Sequence, residues 1–194
     1  MLHDPIRTPR LLLRSWREQD AAQLKDAIDT SLPELQEWMA WAIGEPSPLS
    51  LIEERLRKLR ARFVSGEDWT YAVFDPQETR VLGGAGLHPR IGPAGLELGY
   101  WIRTDATGAG YATEIAAVLT REAFANPSIE HVEIRCDPRN LRSASIPAHL
   151  GFILTATLRG NTKTPQGEPR DTLVFSLTRE QFNEGIPNLL REFT

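Results

Sequence analysis

The chain has 194 residues, 41% of them hydrophobic, with 22 Lys and Arg against 26 Asp and Glu for a formal charge of −4. That length and apolar share suit a single domain, residues 1–194, with a sizeable core. The acidic balance, with no basic run beyond the helical face "EERLRKLRAR" at 53–62, argues against direct nucleic-acid binding. The lone Cys136 excludes an internal disulfide framework, and four scattered histidines without HxH or HxxxH spacing suggest no metal site.

The opening "MLHDPIRTPRLLLRSW" has no signal-peptide apolar core, and no run is long enough to span a bilayer, so the expectation is a soluble cytoplasmic protein with no membrane partner. "RLLLRSW" (10–16) reads as a first strand. Asp20 is expected to cap a helix through about Thr30. In "LPELQEWMAWAIGEPSP" Pro33 can open a helical turn carrying Trp38 and Trp41, ended by Pro46 and Pro48. Residues 48–64 place Leu49, Ile52, Leu56, Leu59 and Phe63 three or four apart, the mark of an amphipathic helix.

"WTYAVF" (69–74), "VLGGAGLH" (81–88) and "LELGYWIR" (96–103) are strand-like runs with short links, expected to form an antiparallel meander. A helix over about 109–125 and a strand "IEHVEIRC" (129–136) follow, and strand, crossover helix and strand of this length make a parallel pair. A short helix (140–150) and two strands, roughly 152–159 and 171–177, close the chain. The fold class is therefore α/β (α+β): a mixed, mostly antiparallel sheet of about 7 strands with one central βαβ unit and helices on both faces.

"RTDATGAGYATE" (103–114) brings Gly108 and Gly110 to the start of that crossover helix. A helix start carries unpaired N–H groups and about half a positive charge, and glycine permits a sharp turn and close approach of an anion. The plain alternative is that the glycines only make the turn. A phosphate loop of the Walker type needs Lys-Ser or Lys-Thr where "GYAT" stands. A dinucleotide fingerprint needs a third small residue at Thr113 and an opening βαβ unit, not one behind a meander. Coenzyme A remains.

"LELGYWIRTDATGAGYATE" together with "CDPRNLRSASIPAHLGF" (136–152) resembles the GNAT acyltransferase superfamily in its RimJ/RimL-type branch, over nearly the whole chain. The resemblance implies a GNAT fold with acetyl-CoA lying between two splayed parallel strands and its pyrophosphate on the loop 105–110. It assigns donor contacts to Tyr100, Trp101, Ile102 and Arg103, to Thr107, Gly108, Ala109, Gly110, Tyr111, Ala112 and Thr113, and to Asn140 and Ser143. One departure stands out. The superfamily places Gln or Arg three residues before the first glycine, and this chain has Asp105, whose side chain is expected to turn away from the diphosphate.

Alternation in "LELGYWIR" puts Leu96, Leu98, Tyr100 and Ile102 on one face and Glu97, Gly99, Trp101 and Arg103 on the other. Gly99 inside the strand suggests a bulge that frees N–H groups near Ile102 and Arg103 to polarise a thioester carbonyl. Glu97, in an apolar run, is the candidate base, its burial expected to raise its pKa; the alternative is an ordinary half-exposed strand carboxylate. His88 is a second polar group on the substrate side, or a strand-end residue in a common hydrogen bond. Asn140 fits an N-cap bonded to the Ser143 N–H; the resemblance adds a contact to the pantetheine arm for Asn140 and points to Ser143 as a CoA contact or proton donor to the thiolate, with Ser145 in reserve. Pro147 is expected to kink its helix beside the thiol. Trp38, Met39 and Trp41 are core or, with Trp38 and Trp41 facing outward, a substrate wall suited to a cation or a flat ring.

Together these give an N-acetyltransferase passing an acetyl group from acetyl-CoA to a primary amine, of a peptide or a small molecule, by direct attack in a ternary complex, as monomer or homodimer. An acyl-CoA-binding module without turnover, a transferase of another acyl group such as succinyl, and a dinucleotide enzyme stand as alternatives.

Overall fold

The computed structural model describes residues 2–164 and 167–185. Its strands are Ile6–Arg7 (β1), Leu12–Ser15 (β2), Trp69–Phe74 (β3), Val81–His88 (β4), Gly95–Ile102 (β5), His131–Cys136 (β6), Ile153–Lys163 (β7) and Pro169–Thr178 (β8). Its helices are Ala21–Trp38 (α1), Leu49–Ser65 (α2), Tyr111–Ala125 (α3), Leu141–His149 (α4) and Arg179–Gly185 (α5). Among the described residues the strands make one 8-stranded sheet in the order β1-β2-β3-β4-β5-β6-β8-β7. β5 and β6 are its parallel pair, whereas β1 with β2, β2 with β3, β6 with β8 and β7 with β8 run antiparallel. The strand beyond the seven expected is β1, two residues long, too short to leave any periodicity in the sequence.

Two compact units share the chain, with borders that cross β4 and β5 rather than a linker. The first holds the chain up to Gly86 together with Tyr100–Tyr111; the second holds Leu87–Gly99 and the chain from Ala112 on.

In the first unit, Leu24, Ile28 and Leu35 of α1 and Ile52 and Leu56 of α2 pack with Leu12, Phe74 and Val81 of the sheet, all 5% exposed or less. Burying each such side chain is worth about 1.5–3 kcal/mol. This packing explains why α1 does not stop near Thr30 but runs through Pro33 to Trp38. A proline inside a helix costs about 3 kcal/mol, yet the buried stripe continues to Leu35, and its burial offsets the loss. Asp20 also departs from expectation. It stands at the helix start without capping it, because its carboxylate accepts from both Arg14 nitrogens at 2.7 and 2.8 Å and from the Arg17 N–H at 2.8 Å.

In the second unit, Gly95 to Leu98 of β5 pair with His131 to Ile134 of β6. Of the helically spaced stripe Ala112, Ile115, Ala116, Leu119 and Ala123, the last four are fully buried in α3, while Ala112, in its first turn, is half-buried. β7 and β8 run further into the polar linker than expected, since backbone pairing there needs no apolar side chains. Residues 165 and 166 of that linker lie outside the described residues.

Candidate active site

The glycine turn belongs to the first unit. Arg103 leaves β5 with a side chain only 5% exposed, and its guanidinium binds Asp105 Oδ1 at 2.6 Å, Asp26 Oδ2 at 3.0 Å and the Val81 carbonyl at 3.2 Å. The Thr104 N–H bonds Ser31 Oγ at 2.9 Å. The turn is thus pinned to α1 and β4 before it reaches the glycines. Gly108 and Gly110 then adopt φ of +81° and +80°, and α3 begins at the next residue. Left-handed backbone disfavours other residues by roughly 1–2 kcal/mol. Crowding is not the reason for glycine here: a Cβ at Gly108 would meet nothing within 4 Å. The turn therefore fits a bulky anion, presenting an open backbone surface at a helix start whose first N–H groups lack helical partners.

Asp105 points away from that surface. Its carboxylate is held by Arg103 and by Arg80, and the Arg103 bond, first among the causes, keeps it below the usual carboxylate range. The repulsion anticipated from the sequence is cancelled by two arginines.

The strand before the turn corrects one expectation. The Arg103 N–H donates to the Leu82 carbonyl at 2.9 Å, so it is engaged in the sheet and not freed for a ligand, and its buried side chain has a structural task. Successive N–H groups of a strand face opposite edges, which directs the Ile102 N–H away from β4. Beside it, Trp101 lies across the glycines of β4: a Cβ at Gly84 would stand 2.6 Å from its Nε1, and one at Gly83 would collide with its carbonyl. Trp41, 43% exposed, packs on Trp101 with ring centroids 5.8 Å apart at 58°. The aromatic cluster expected around residue 40 thus divides. Met39 packs against the core, Trp38 is half-buried at the end of α1, and the exposed Trp41 covers Trp101, which itself packs against the core.

The second unit carries the remaining candidates. The β5–β6 ladder ends at Leu98 opposite Ile134, one residue before Gly99, although β6 itself continues to Cys136. Glu97 does not stand in an apolar setting. Its carboxylate, 13% exposed, takes a forked pair of bonds from Arg90, with Arg135 at 3.8 Å and Glu133 opposite it in register. The His88 ring lies by Gly99, where an added Cβ would be 3.8 Å from Nε2, so His88 and Glu97 flank one stretch of β5.

At the end of β6, Asn140 caps α4 as its sequence predicts, accepting the Ser143 N–H at 3.0 Å. The Ser143 hydroxyl is bonded to Cys136, whose thiol burial pushes up to about 11. Ser145 instead donates to the Arg142 carbonyl of its own helix at 2.8 Å. Pro147 is buried within α4, which runs through it to His149. Asp137, 3% exposed, fixes the approach to this helix by binding Arg139 at 2.6 Å and Arg170 at 3.2 Å.

A sequence profile of the acetyltransferase (GNAT) domain matches residues 10–153, from the arginine before β2 to the start of β7. The chain belongs to the GNAT acetyltransferase family. It is an acyltransferase, and its mixed, mostly antiparallel α/β sheet is the GNAT fold. The uncharacterized N-acetyltransferase p20 from Bacillus licheniformis is 23% identical over 180 residues, 92% of this chain and 98% of p20. Among solved structures, the ribosomal L7/L12 alpha-N-protein acetyltransferase RimL in complex with coenzyme A superposes with a TM-score of 0.83 at 16% identity, over 92% of this chain and 99% of RimL. Mycobacterium smegmatis RimJ in complex with a CoA disulfide gives 0.78 at 23% identity, over 91% and 87%. At such identities the superpositions speak for the fold.

For this GNAT domain, sequence reasoning located the turn, the cap and the strand but missed the arginines that complete them. Arg10, Arg80 and Arg90 are scattered through the chain, whereas Arg135 and Arg139 each stand two residues after a carboxylate that they bind, Glu133 and Asp137.

Proposed function

We propose that the protein is an N-acetyltransferase that passes the acetyl group of acetyl-CoA directly to a primary amine, with the α-amine of a protein N-terminus as its acceptor. The observation that carries this reading is the turn at Gly108 and Gly110, whose backbone fits a diphosphate and whose neighbour Asp105 is held by Arg103 and Arg80. Thr107 to Thr113 hold the diphosphate, and Asn140 lies along the pantetheine arm. The Ile102 N–H receives the thioester carbonyl oxygen, where negative charge develops.

The amine nitrogen attacks the thioester carbon and the C–S bond breaks. The amine proton goes to the Glu97 carboxylate, directly or through water, and from there to solvent; the departing thiolate takes a proton from the Ser143 hydroxyl, which recovers one from water in the same step, so that both groups end as they began. An α-amine, with a pKa near 8, needs less help from such a base than a lysine at about 10.4. Trp41 and Trp101 wall the acceptor's first side chain. RimL, named for the α-amine of a ribosomal protein, supports the choice of acceptor. The reaction belongs to the cytoplasm, and one chain, alone or as a homodimer, carries it out; among the described residues no helix is long and apolar enough to cross a membrane.

The forked Arg90–Glu97 pair favours a second reading, an acyl-CoA-binding module without turnover, because it engages both oxygens of the base. A thiol-release assay separates the two. Acetyl-CoA and succinyl-CoA are offered against N-terminal peptides, polyamines and aminoacyl nucleosides. Turnover of acetyl-CoA with the peptides alone is the expected result; binding of acetyl-CoA without thiol release from any acceptor would leave only the second reading.

A further inference from the structure

Glu97 and Glu133 stand opposite each other on the parallel pair β5–β6, with side chains 13 and 16% exposed. Like charges facing across a ladder repel, and two arginines answer them here. Arg135 binds Glu133 at 2.8 Å and stands 3.8 Å from Glu97. Arg90 takes both oxygens of Glu97, its Nε donating to Oε2 at 2.9 Å and its Nη2 to Oε1. The partners in this fork are unequal. Glu97 is fixed to a strand and mostly covered, whereas Arg90 comes from the link 89–94 between β4 and β5 and its side chain is 59% exposed.

Two carboxylates and two guanidiniums thus meet on β5 and β6, and the proposed reaction upsets their balance. When Glu97 accepts the amine proton it becomes neutral, and Arg90 loses the charge that it was bound to. A guanidinium fork pairs with any carboxylate of matching geometry. An acceptor that brings its own carboxylate beside the amine answers Arg90 as Glu97 gives up its charge. By drawing Arg90 toward solvent, the same carboxylate uncovers the Glu97 oxygens that must receive the proton. An N-terminal Asp or Glu carries the amine and the carboxylate on one residue.

We infer that Arg90 is a specificity-determining residue for acceptors with a carboxylate close to the reacting amine: its guanidinium passes from Glu97 to the acceptor's acidic group, which both selects the acceptor and frees the base. This inference rests on the proposed reading of Glu97 as the base and of a peptide α-amine as the acceptor. The exchange makes and breaks no covalent bond, and the proton moves from the amine nitrogen to Glu97 as before.

The test measures initial rates of the intact protein at saturating acetyl-CoA with two peptides that differ only in an N-terminal Asp or Asn, alike in shape and unlike in charge. Wild type, Arg90→Ala and Arg90→Lys are compared, with circular dichroism and melting temperature as the check on folding; Arg90 is exposed, so the variants are expected to fold. Wild type is expected to favour the Asp peptide in kcat/KM about fivefold, the scale of one partly exposed ion pair, and to favour it less as salt is raised. Arg90→Ala is expected to abolish the preference while keeping turnover of the Asn peptide, because the substitution also uncovers Glu97. Arg90→Lys, a point charge without the fork, is expected to keep part of the preference. Equal use of the two peptides by wild type overturns the inference and leaves the reaction itself standing. So does a preference that survives in Arg90→Ala, or an equal loss toward both peptides, the sign of a merely structural role. No thiol release by wild type with either peptide overturns the inference together with the proposed acceptor.

Discussion

Arg103 and Asp105, two residues apart at the foot of the glycine turn, form a hydrogen-bonded ion pair of 2.6 Å, which Arg80 completes from the other side. An acidic residue in a place meant for an anion is tolerated because its charge is already answered. Arg80 is the exposed partner and can be removed without opening the core. Arg80→Ala is expected to raise the KM for acetyl-CoA several-fold at low ionic strength with little change in kcat, and the deficit is expected to shrink as salt screens the exposed Asp105. Asp105→Asn in the same background is expected to restore KM. A KM that ignores both salt and the second substitution would mean that Asp105 does not sense the donor.

Glu97 is the proton acceptor of the proposed reaction. Glu97→Gln keeps the shape and removes the basic oxygen, and is expected to lower kcat by about 10²–10⁴. It is also expected to leave CoA affinity alone. Unaltered turnover in Glu97→Gln would transfer the base to water or another group.

Cys136 sits at the end of β6 with its thiol pushed up from 9.0 to about 11, burial being the first cause. An acid whose folded value is raised stays neutral longer in the folded state. The native thiol is therefore expected to resist iodoacetamide at pH 8 and to react increasingly toward pH 11, whereas the unfolded chain reacts at pH 8. The same shift contributes stability that is whole below pH 9 and disappears as pH rises toward about 11. Mass spectrometry of native and denatured protein reads the first effect; equal alkylation rates at pH 8 would contradict it.

Arg14 and Asp20 form a buried pair, each side chain 5% exposed, and Arg14 stacks 4.4 Å over Phe74. Removing Asp20 takes the carboxylate from both Nη groups of this buried guanidinium and leaves it that of Glu78 alone, at Nε. Asp20→Ala is expected to destabilise the protein by about 3–5 kcal/mol in urea unfolding, more than the ~1 kcal/mol typical of a lost helix cap. A loss near 1 kcal/mol would return Asp20 to the capping role that its position suggests.

The sequence by itself determined what depends on neighbours in the chain. The strands from 69 to 102, the amphipathic helix α2, the crossover to β6 and the Asn140 cap were legible because alternation, helical period and capping are local patterns. So were Gly108 and Gly110, since only glycine enters left-handed backbone freely. The tertiary structure decided what depends on groups that the chain brings together from afar. It carried α1 through Pro33, took Asp20 from its helix for Arg14, engaged the Arg103 N–H with Leu82 and placed Arg90 on Glu97 and Arg10 on Ala109. The physical reason is the same in each case. Long arginine side chains and buried apolar faces find partners through space, and the free energy of those contacts exceeds local propensity without leaving a mark at any fixed spacing in the sequence.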